Sequence, residues 1–287
     1  MALSLDRMPV EAHRRPEGEP VTITREVAGV AGKAKRNSVL RNGARLGYAI
    51  SGLLHLLIAW IALQVAGSGS GRSADQSGAL RTLAGSSMGR LTLWVAVVGF
   101  VALGLWQLAI GLAARPARGS SRWLATAKGM AKAVLYLALG WATFATAEGR
   151  PGPSKAQSAG ITATLLQNGG GRLLVMLIGL VVIGAGGYHM LKGWTKKFLR
   201  NLNKHPGTFA VRAGVVGYLA KDVSLALVGV LFVIAAQDNS SVRATGLDGA
   251  LRLLRQQAFG PWLLTTVALG IAAYGFYSYA RARHARV

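Results

Sequence analysis

Six long apolar runs constrain this chain more than any other feature of its sequence. Each has about the 20 residues that an α-helix needs to cross a hydrocarbon core of roughly 30 Å. Only 15% of the 287 residues are charged, against about a quarter in soluble domains, so lipid is the expected solvent for much of the chain. We therefore predict an all-α integral membrane protein. The six predicted transmembrane helices are 46–66, 91–114, 130–147, 173–192, 213–236 and 261–280.

The basic residues are distributed unevenly about these spans. If the amino terminus lies inside, the flanks on that side carry 22 of the 33 lysines and arginines, and the three opposite loops carry nine. This asymmetry is the usual orientation signal of multi-pass proteins. We expect a multi-pass membrane protein with both termini in the cytoplasm and basic flanks on anionic lipid headgroups. The net charge of +23 would also suit nucleic acid, but few aromatic residues accompany the basic ones, so no nucleic-acid partner is predicted.

The even-numbered spans share a pattern: a glycine, an aromatic residue two positions later, and then a polar residue. Its copies are Gly104, Trp106 and Gln107; Gly186, Tyr188 and His189; and Gly275, Tyr277 and Ser278. The offsets between copies are 82 and 89 residues, and the outer loops keep them. Tandem two-helix units enter the membrane in the same direction, so rotation about the membrane normal relates them. We predict three parallel two-helix repeats with approximate threefold pseudo-symmetry and a short amphipathic helix in each outer loop.

The repeat offsets also divide the chain. Residues 1–40 are predicted to form a basic cytoplasmic tail that is partly disordered, with a short basic surface helix near 23–41. The odd-numbered spans align at Ala59, Gly140 and Gly229, which are 81 and 89 residues apart. The predicted repeats are 41–114, 115–197 and 198–287, the last ending in a short basic cytoplasmic tail.

A family resemblance follows from these features. The tandem span pairs, the glycine–aromatic–polar pattern and the segment Gly-Trp-Thr-Lys-Lys-Phe at 193–198 resemble a mainly actinobacterial membrane family known as domain of unknown function 1206. The resemblance covers about residues 40–282. It implies an inner-membrane protein of six spans and supplies no activity, substrate or catalytic residues.

Polar residues inside the spans are the first candidate functional residues. Ser51, Lys132 and Lys221 occupy one aligned position of the odd-numbered spans. Four residues later, on the same helical face, are His55 and Tyr136 in the first two repeats. Glycines on that face predict that the lysines point into the bundle. Three interpretations stay open: the lysines snorkel to the cytoplasmic interface, they belong to a polar cluster that fixes packing, or they form a substrate or ion site.

Asp222 is the only acidic residue within any predicted span, and it adjoins Lys221. Because adjacent helical residues point in different directions, we expect a poor ion pair between them. Another partner is expected instead: Lys132, His55, Arg45 or an arginine on the headgroup side. The even-numbered spans predict a hydrogen-bonded helix seam made of Trp106, Gln107, Tyr188, His189, Tyr277 and Ser278. The candidates for lipid headgroup contacts are Lys192, Lys196, Lys197 and Arg200.

Several chemistries have no residues to carry them. The chain has no cysteine, which excludes disulfides, thiolate catalysis and cysteine-ligated metals. No phosphate-loop motif, paired carboxylates or Ser-His-Asp arrangement is present, so we predict no enzyme activity, cofactor or metal. The favoured hypothesis is a non-enzymatic membrane protein that acts through lipid or membrane-protein partners. The alternative is a channel or carrier for an anion or anionic lipid along the pseudo-threefold axis.

Overall fold

Nine α-helices form the part of the chain that the computed structural model describes, residues 37–113, 122–150, 155–202, 206–241, 244 and 246–285. They are α1 (Ser38–Ser68), α2 (Gln76–Ala84), α3 (Ser87–Leu112), α4 (Arg122–Ala147), α5 (Lys155–Leu166), α6 (Gly169–Trp194), α7 (Thr208–Gln237), α8 (Gly246–Arg255) and α9 (Gly260–His284). Six of them, α1, α3, α4, α6, α7 and α9, are long and apolar enough to cross a membrane. The chain is a multi-pass membrane protein.

The six long helices match the six predicted spans but extend beyond them at several ends. α1 begins at Ser38 and not near 46, because Asn37 caps its first turn by accepting hydrogen bonds from the N–H groups of Val39 and Leu40 at 2.9 and 3.3 Å. A helix keeps its backbone hydrogen bonds when it continues beyond the hydrocarbon core of the membrane. Its first residue is therefore set by the capping residue and not by the start of the apolar sequence. Most of the predicted surface helix at 23–41 lies outside the described residues, and its last residues belong to α1.

Across the described residues, the six spans form a ring that is open between α4 and α6, and in it α3 packs on α4, α6 on α7 and α9 on α1. In each case the second span of one repeat meets the first span of the next. Within the first and third repeats, α1 also packs on α3 and α7 on α9. This order of contacts is the rotational arrangement of three parallel hairpins that the repeat offsets predicted.

The three contacts between repeats have the same register. A Cβ added to the glycine of the repeated pattern would lie within about 3 Å of one residue on the next span in every case. The pairs are Gly104 with Leu137 at 2.8 Å, Gly186 with Ala226 at 3.2 Å, and Gly275 with Leu56 at 2.8 Å. The three partner positions are 81 and 89 residues apart. Small residues allow membrane helices to approach closely, so the glycines repeat because the contacts repeat.

The predicted loop helices α2, α5 and α8 lie together at one end of the bundle, here called the loop-helix end. There, side chains tie the repeats to one another. Arg172 of α6 donates to the carbonyls of Ala236 and Gln237 at the end of α7, at 2.6 and 2.8 Å. These bonds satisfy carbonyls that the last turn of a helix leaves unpaired.

An apolar core lies in the half of the bundle nearer the loop-helix end. It joins α1, α3 and α9, and Tyr136 and Leu139 of α4 pack against it. Its largest fully buried members are Leu54, Ile61, Val65, Leu93, Phe100, Leu251, Leu264 and Ile271. A smaller and separate cluster of Leu166, Val175 and Ala236 joins α5, α6 and α7.

Candidate functional site

Cations from four different spans come together at the opposite end of the bundle, where α1 begins and α9 ends; we call this the basic end. Lys132 is close enough to Lys128, Lys192 and Arg281 for their charges to interact. Lys192 interacts in the same way with Lys221 and Arg281. These five residues, on α4, α6, α7 and α9, are called the cation cluster below. Sequence analysis had placed three of them among its candidates and missed Lys128 and Arg281.

One buried carboxylate lies within this cluster. Asp222 is fully buried, and its Oδ1 is 3.2 Å from Lys221 Nζ and 3.7 Å from His189 Nδ1. The expectation that Lys221 would pair poorly with its neighbour was therefore wrong. Helix geometry separates the two Cβ directions, but the four methylene groups of lysine let the ammonium group turn back to the adjacent carboxylate. The charge of Asp222 also interacts with that of Lys192.

Aromatic rings support two of the cations. The Arg281 guanidinium lies 4.1 Å from the centre of the Tyr48 ring, and Lys221 Nζ lies 5.1 Å from that of Tyr274. Such contacts attract a cation to the ring face while leaving its N–H donors available. The sequence did carry a signal for one ring, since Tyr48 and Tyr218 share an aligned position that holds Gly129 in the second repeat.

The polar residues predicted within the spans lie around this cluster. His55 Nδ1 donates to the carbonyl of Ser51 at 2.6 Å, and the His55 ring centre is 4.8 Å from that of Tyr274. Ser51, His55 and Tyr136 are partly buried, as is Lys221, whereas Lys132 is exposed. The aligned positions therefore share one level of the bundle but not one environment.

The residues of the predicted helix seam are buried in the first and third repeats but more exposed to the surroundings in the second. Trp106, Gln107, Tyr277 and Ser278 are buried. Gln107 Nε2 donates to the Tyr48 hydroxyl of α1 at 3.2 Å, which joins two helices, whereas Ser278 Oγ donates at 2.9 Å to the carbonyl of Tyr274, one turn earlier in the same helix. In the second repeat Tyr188 is 63% exposed, against 1% for Trp106 and Tyr277. His189 is also partly exposed.

The exposed seam coincides with a missing helix contact. Within the described residues, α4 and α6 do not pack on each other, whereas the equivalent pairs α1–α3 and α7–α9 do. Leu135 of α4 is 56% exposed, but its equivalents Leu54 and Ser224 are each 1% exposed. We call this gap the lateral opening. Lys132 lies on its α4 side and Lys192 on its α6 side.

The remaining headgroup candidates lie on the short 3₁₀-helix Lys197–Asn201 and just before it. Lys196, Lys197 and Arg200 are exposed. Between them, Phe198 is fully buried, 5.1 Å from the Tyr218 ring and 5.0 Å from the Tyr277 ring. One aromatic side chain therefore anchors the loop while its cations face outward. Sequence analysis did not identify this anchor, which has no counterpart in the other repeats.

The part of the chain that the structure describes contains no candidate metal site. Across the spans and loop helices given above, no three His, Asp or Glu side chains lie together as a metal ion would require. The chemistry that the cation cluster offers is recognition of an anion: several N–H donors, charge of one sign, and access from the bilayer.

Comparison with known proteins gives the same architecture. The model of the family described as Domain of Unknown Function (DUF1206) matches three segments of the chain, residues 46–126, 127–196 and 216–285. The chain is also similar to the Uncharacterized protein YxxB of Bacillus subtilis, at 26% identity over 83% of this chain and 89% of the relative. No solved structure matches significantly. Since the family model covers most of the chain in three consecutive copies, this protein belongs to the DUF1206 family.

Proposed function

We propose that this chain is a non-enzymatic protein of the bacterial plasma membrane that binds the phosphate-bearing headgroup of an anionic lipid in its cation cluster. The observation that carries the proposal is the proximity of Lys128, Lys132, Lys192, Lys221 and Arg281 at the basic end, with the carboxylate of Asp222 beside Lys221 and near Lys192. Like charges at short range repel. A bound anion would relieve that repulsion, so the cluster favours a ligand over an empty state.

The types of side chain also suit a phosphate group. An arginine guanidinium presents several donors to phosphate oxygens, and lysine supplies a mobile point charge. The rings of Tyr48 and Tyr274 contact Arg281 and Lys221 respectively without neutralising their charges. A phosphate could therefore receive charge-assisted hydrogen bonds from groups on three or more spans, which would join the repeats at the basic end.

Orientation supports a lipid of the cytoplasmic leaflet. The flanks at the basic end carry most of the lysines and arginines of the chain, and such flanks lie in the cytoplasm in multi-pass proteins. The cytoplasmic leaflet is also the one with anionic headgroups and a negative surface potential. Both termini would then be cytoplasmic, and the exposed Lys196, Lys197 and Arg200 would face the surrounding headgroups without belonging to the cluster, where exposed charges contribute little.

The second candidate function is transport of an anion or anionic lipid along the pseudo-threefold axis. The arrangement of Lys132 and Lys221 at one level is the observation in its favour. Against it stands the apolar core around Leu54 and Phe100, which packs α1, α3 and α9 together in the half of the bundle nearer the loop-helix end. A ligand that entered from the basic end would meet packed side chains there, which favours binding over conduction.

Native mass spectrometry of the purified full chain tests the proposal, with phosphatidylglycerol as anionic lipid and phosphatidylcholine as zwitterionic reference. The variant K132Q/K192Q removes two charges from the cluster, and the control K196Q/K197Q removes two from the exposed loop. Lys221 is left in place because its removal would strand the buried Asp222. We expect K132Q/K192Q to weaken phosphatidylglycerol binding by at least about tenfold, or about 1.4 kcal/mol, and the control to change it little.

Three results would contradict the proposal. Equal losses in both variants would mean diffuse attraction to surface charge and not a site. Unchanged binding in K132Q/K192Q would remove the cluster from lipid recognition. Anion flux in proteoliposomes that is present in the wild type and lost in K132Q/K192Q would favour the carrier alternative.

A further inference from the structure

The lateral opening has a cause in the sequence. In the first repeat, Gly47 of α1 lies against α3, where a Cβ on it would be 2.9 Å from that of Leu103. In the third repeat, Gly217 of α7 lies against α9 in the same way, 2.7 Å from the Cβ of Tyr274. The aligned residue of the second repeat is Lys128. A lysine cannot fit where two helix backbones meet, so this contact cannot form between α4 and α6.

A second glycine position, on the second helix of each repeat, is also changed in the second repeat. Gly99 of α3 and Gly270 of α9 lie against the first helix of their own repeats, next to Gly47 and Ala220 respectively. The aligned residue of α6 is Val181, which is 71% exposed. Both members of a glycine contact have therefore been replaced in one repeat out of three. The opening follows from a local departure of the sequence from its own repeat.

The two walls of the opening have the same order of residues. From the basic end inward, α4 presents Lys128, Lys132 and then Leu135, and α6 presents Lys192, Tyr188 and then Val181. Each wall begins with cations and continues with exposed aromatic or aliphatic side chains. A ligand that fits both walls carries negative charge at one end and hydrocarbon along the rest of its length.

We propose that the lateral opening holds an acyl chain of a phosphate-bearing lipid, which enters sideways from the bilayer with its headgroup on the cation cluster. This inference rests on the proposed function and adds the route and the kind of ligand. A soluble phosphate compound would fill only the charged part. A helix of a partner protein would need acidic side chains at the level of Lys132 and Lys192. A lipid satisfies both walls with one molecule.

Filling the opening tests the inference without changing any charge. In the variant L135W/V181W two indole rings occupy the gap. The matched control is L180W, because Leu180 adjoins Val181 and is exposed in every repeat, as its equivalents Val98 and Leu269 are. The probes are phosphatidylglycerol and its soluble headgroup analogue glycerophosphoglycerol, measured by native mass spectrometry on the full chain. We expect the affinity of L135W/V181W for phosphatidylglycerol to fall at least about tenfold, whereas L180W should bind the lipid as the wild type does.

A second measurement does not depend on the folding of a tryptophan variant. Because the chain has no cysteine, V181C and L180C each introduce a single thiol. We expect phosphatidylglycerol to slow alkylation of V181C by a membrane-permeant maleimide at least about threefold relative to phosphatidylcholine, and to leave L180C unchanged, because a bound chain shields only the opening.

The outcomes separate the two proposals. If K132Q/K192Q abolishes lipid binding while L135W/V181W and the V181C protection show no effect, the headgroup site stands and the lateral route is wrong. If glycerophosphoglycerol binds as tightly as the lipid, the ligand is a soluble phosphate compound and the inference is also wrong. If L135W/V181W dissociates a dimer or a co-purified protein that carried no lipid, the opening holds a helix. Normal lipid binding in K132Q/K192Q would overturn both proposals.

Discussion

Asp248 of α8 accepts a hydrogen bond from the backbone N–H of Ala74 at 2.7 Å, across 174 residues of chain. Its second oxygen accepts from Arg252 Nε at 2.9 Å, and Arg252 also donates to the carbonyl of Arg72 at 2.7 Å. The carboxylate is fully buried. These bonds connect the third repeat to the first at the loop-helix end.

Replacing Asp248 with asparagine should therefore destabilise the bundle. The asparagine amide has one accepting oxygen, and its NH₂ group would face the N–H donor of either Arg252 or Ala74. One buried donor is then left without an acceptor, which lowers the free energy of unfolding by about 1–3 kcal/mol. We expect a lower midpoint of thermal unfolding for D248N in detergent. E148Q is the control, because Glu148 makes only an exposed ion pair with Arg150 at 3.6 Å, of the kind that contributes less than about 1 kcal/mol. Equal midpoints for the two variants would contradict the structural role of Asp248.

The glycine contacts within repeats make a prediction of their own. A methyl group on Gly217 would press on the backbone and the Cβ of Tyr274, whereas one on Gly187 would meet nothing within 4 Å. G217A should lower the stability by about 1–3 kcal/mol through overpacking between α7 and α9. G187A should leave it unchanged or raise it slightly, because alanine favours helix more than glycine by up to about 1 kcal/mol. Thermal unfolding of the two variants decides, and a stable G217A would mean that α7 and α9 do not pack this closely.

The sequence could predict the rotational arrangement of the repeats because one glycine pattern occurs three times at nearly constant offsets. Gly104, Gly186 and Gly275 lie against aligned residues in the structure, as a rotational repeat requires. The short loop helices were equally predictable from their leucines and repeat spacing. In both cases, the signal is local or periodic, and one copy supports the interpretation of another.

The lateral opening was not predicted, although its signal was present. Aligning the repeats draws attention to what they share, whereas the opening arises from two positions, Lys128 and Val181, at which the second repeat differs. The contact of Arg281 with Tyr48 was missed for another reason. It joins residues at opposite ends of the chain, and no periodicity records a pair of that kind. The pairing of Asp222 with Lys221 depends on side-chain reach, which helix geometry alone does not give.

The anchor of the basic loop should depend on Phe198. Its ring is fully buried among Leu202, Tyr218, Tyr274 and Tyr277. Removing such a ring costs about 3–5 kcal/mol where the loop cannot collapse, and a surface loop can instead detach. We expect F198A to expose the loop so that trypsin cleaves after Lys196 or Lys197 markedly faster. F209A, which removes a ring that is 74% exposed, should be cleaved at the wild-type rate, and equal rates in the two variants would show that Phe198 is not the anchor.

The last prediction concerns the effect of the buried carboxylate of Asp222 on the affinity for lipid. Asp222 Oδ1 lies 3.2 Å from Lys221 Nζ, so it competes with a lipid phosphate for that cation. D222N keeps the shape of the side chain and removes its charge. We expect D222N to bind phosphatidylglycerol about 3- to 10-fold more tightly than the wild type, which corresponds to about 0.7–1.4 kcal/mol.

E148Q removes the same charge from the loop-helix end and should bind as the wild type does. The advantage of D222N should also persist at higher salt, because screening weakens exposed charge pairs far more than buried ones. Titration by native mass spectrometry at two salt concentrations measures both effects. If D222N bound less tightly than the wild type, Asp222 would be positioning Lys221 and His189 for the ligand and not competing with it. An equal gain in E148Q would instead mean that net charge, and not this ion pair, sets the affinity.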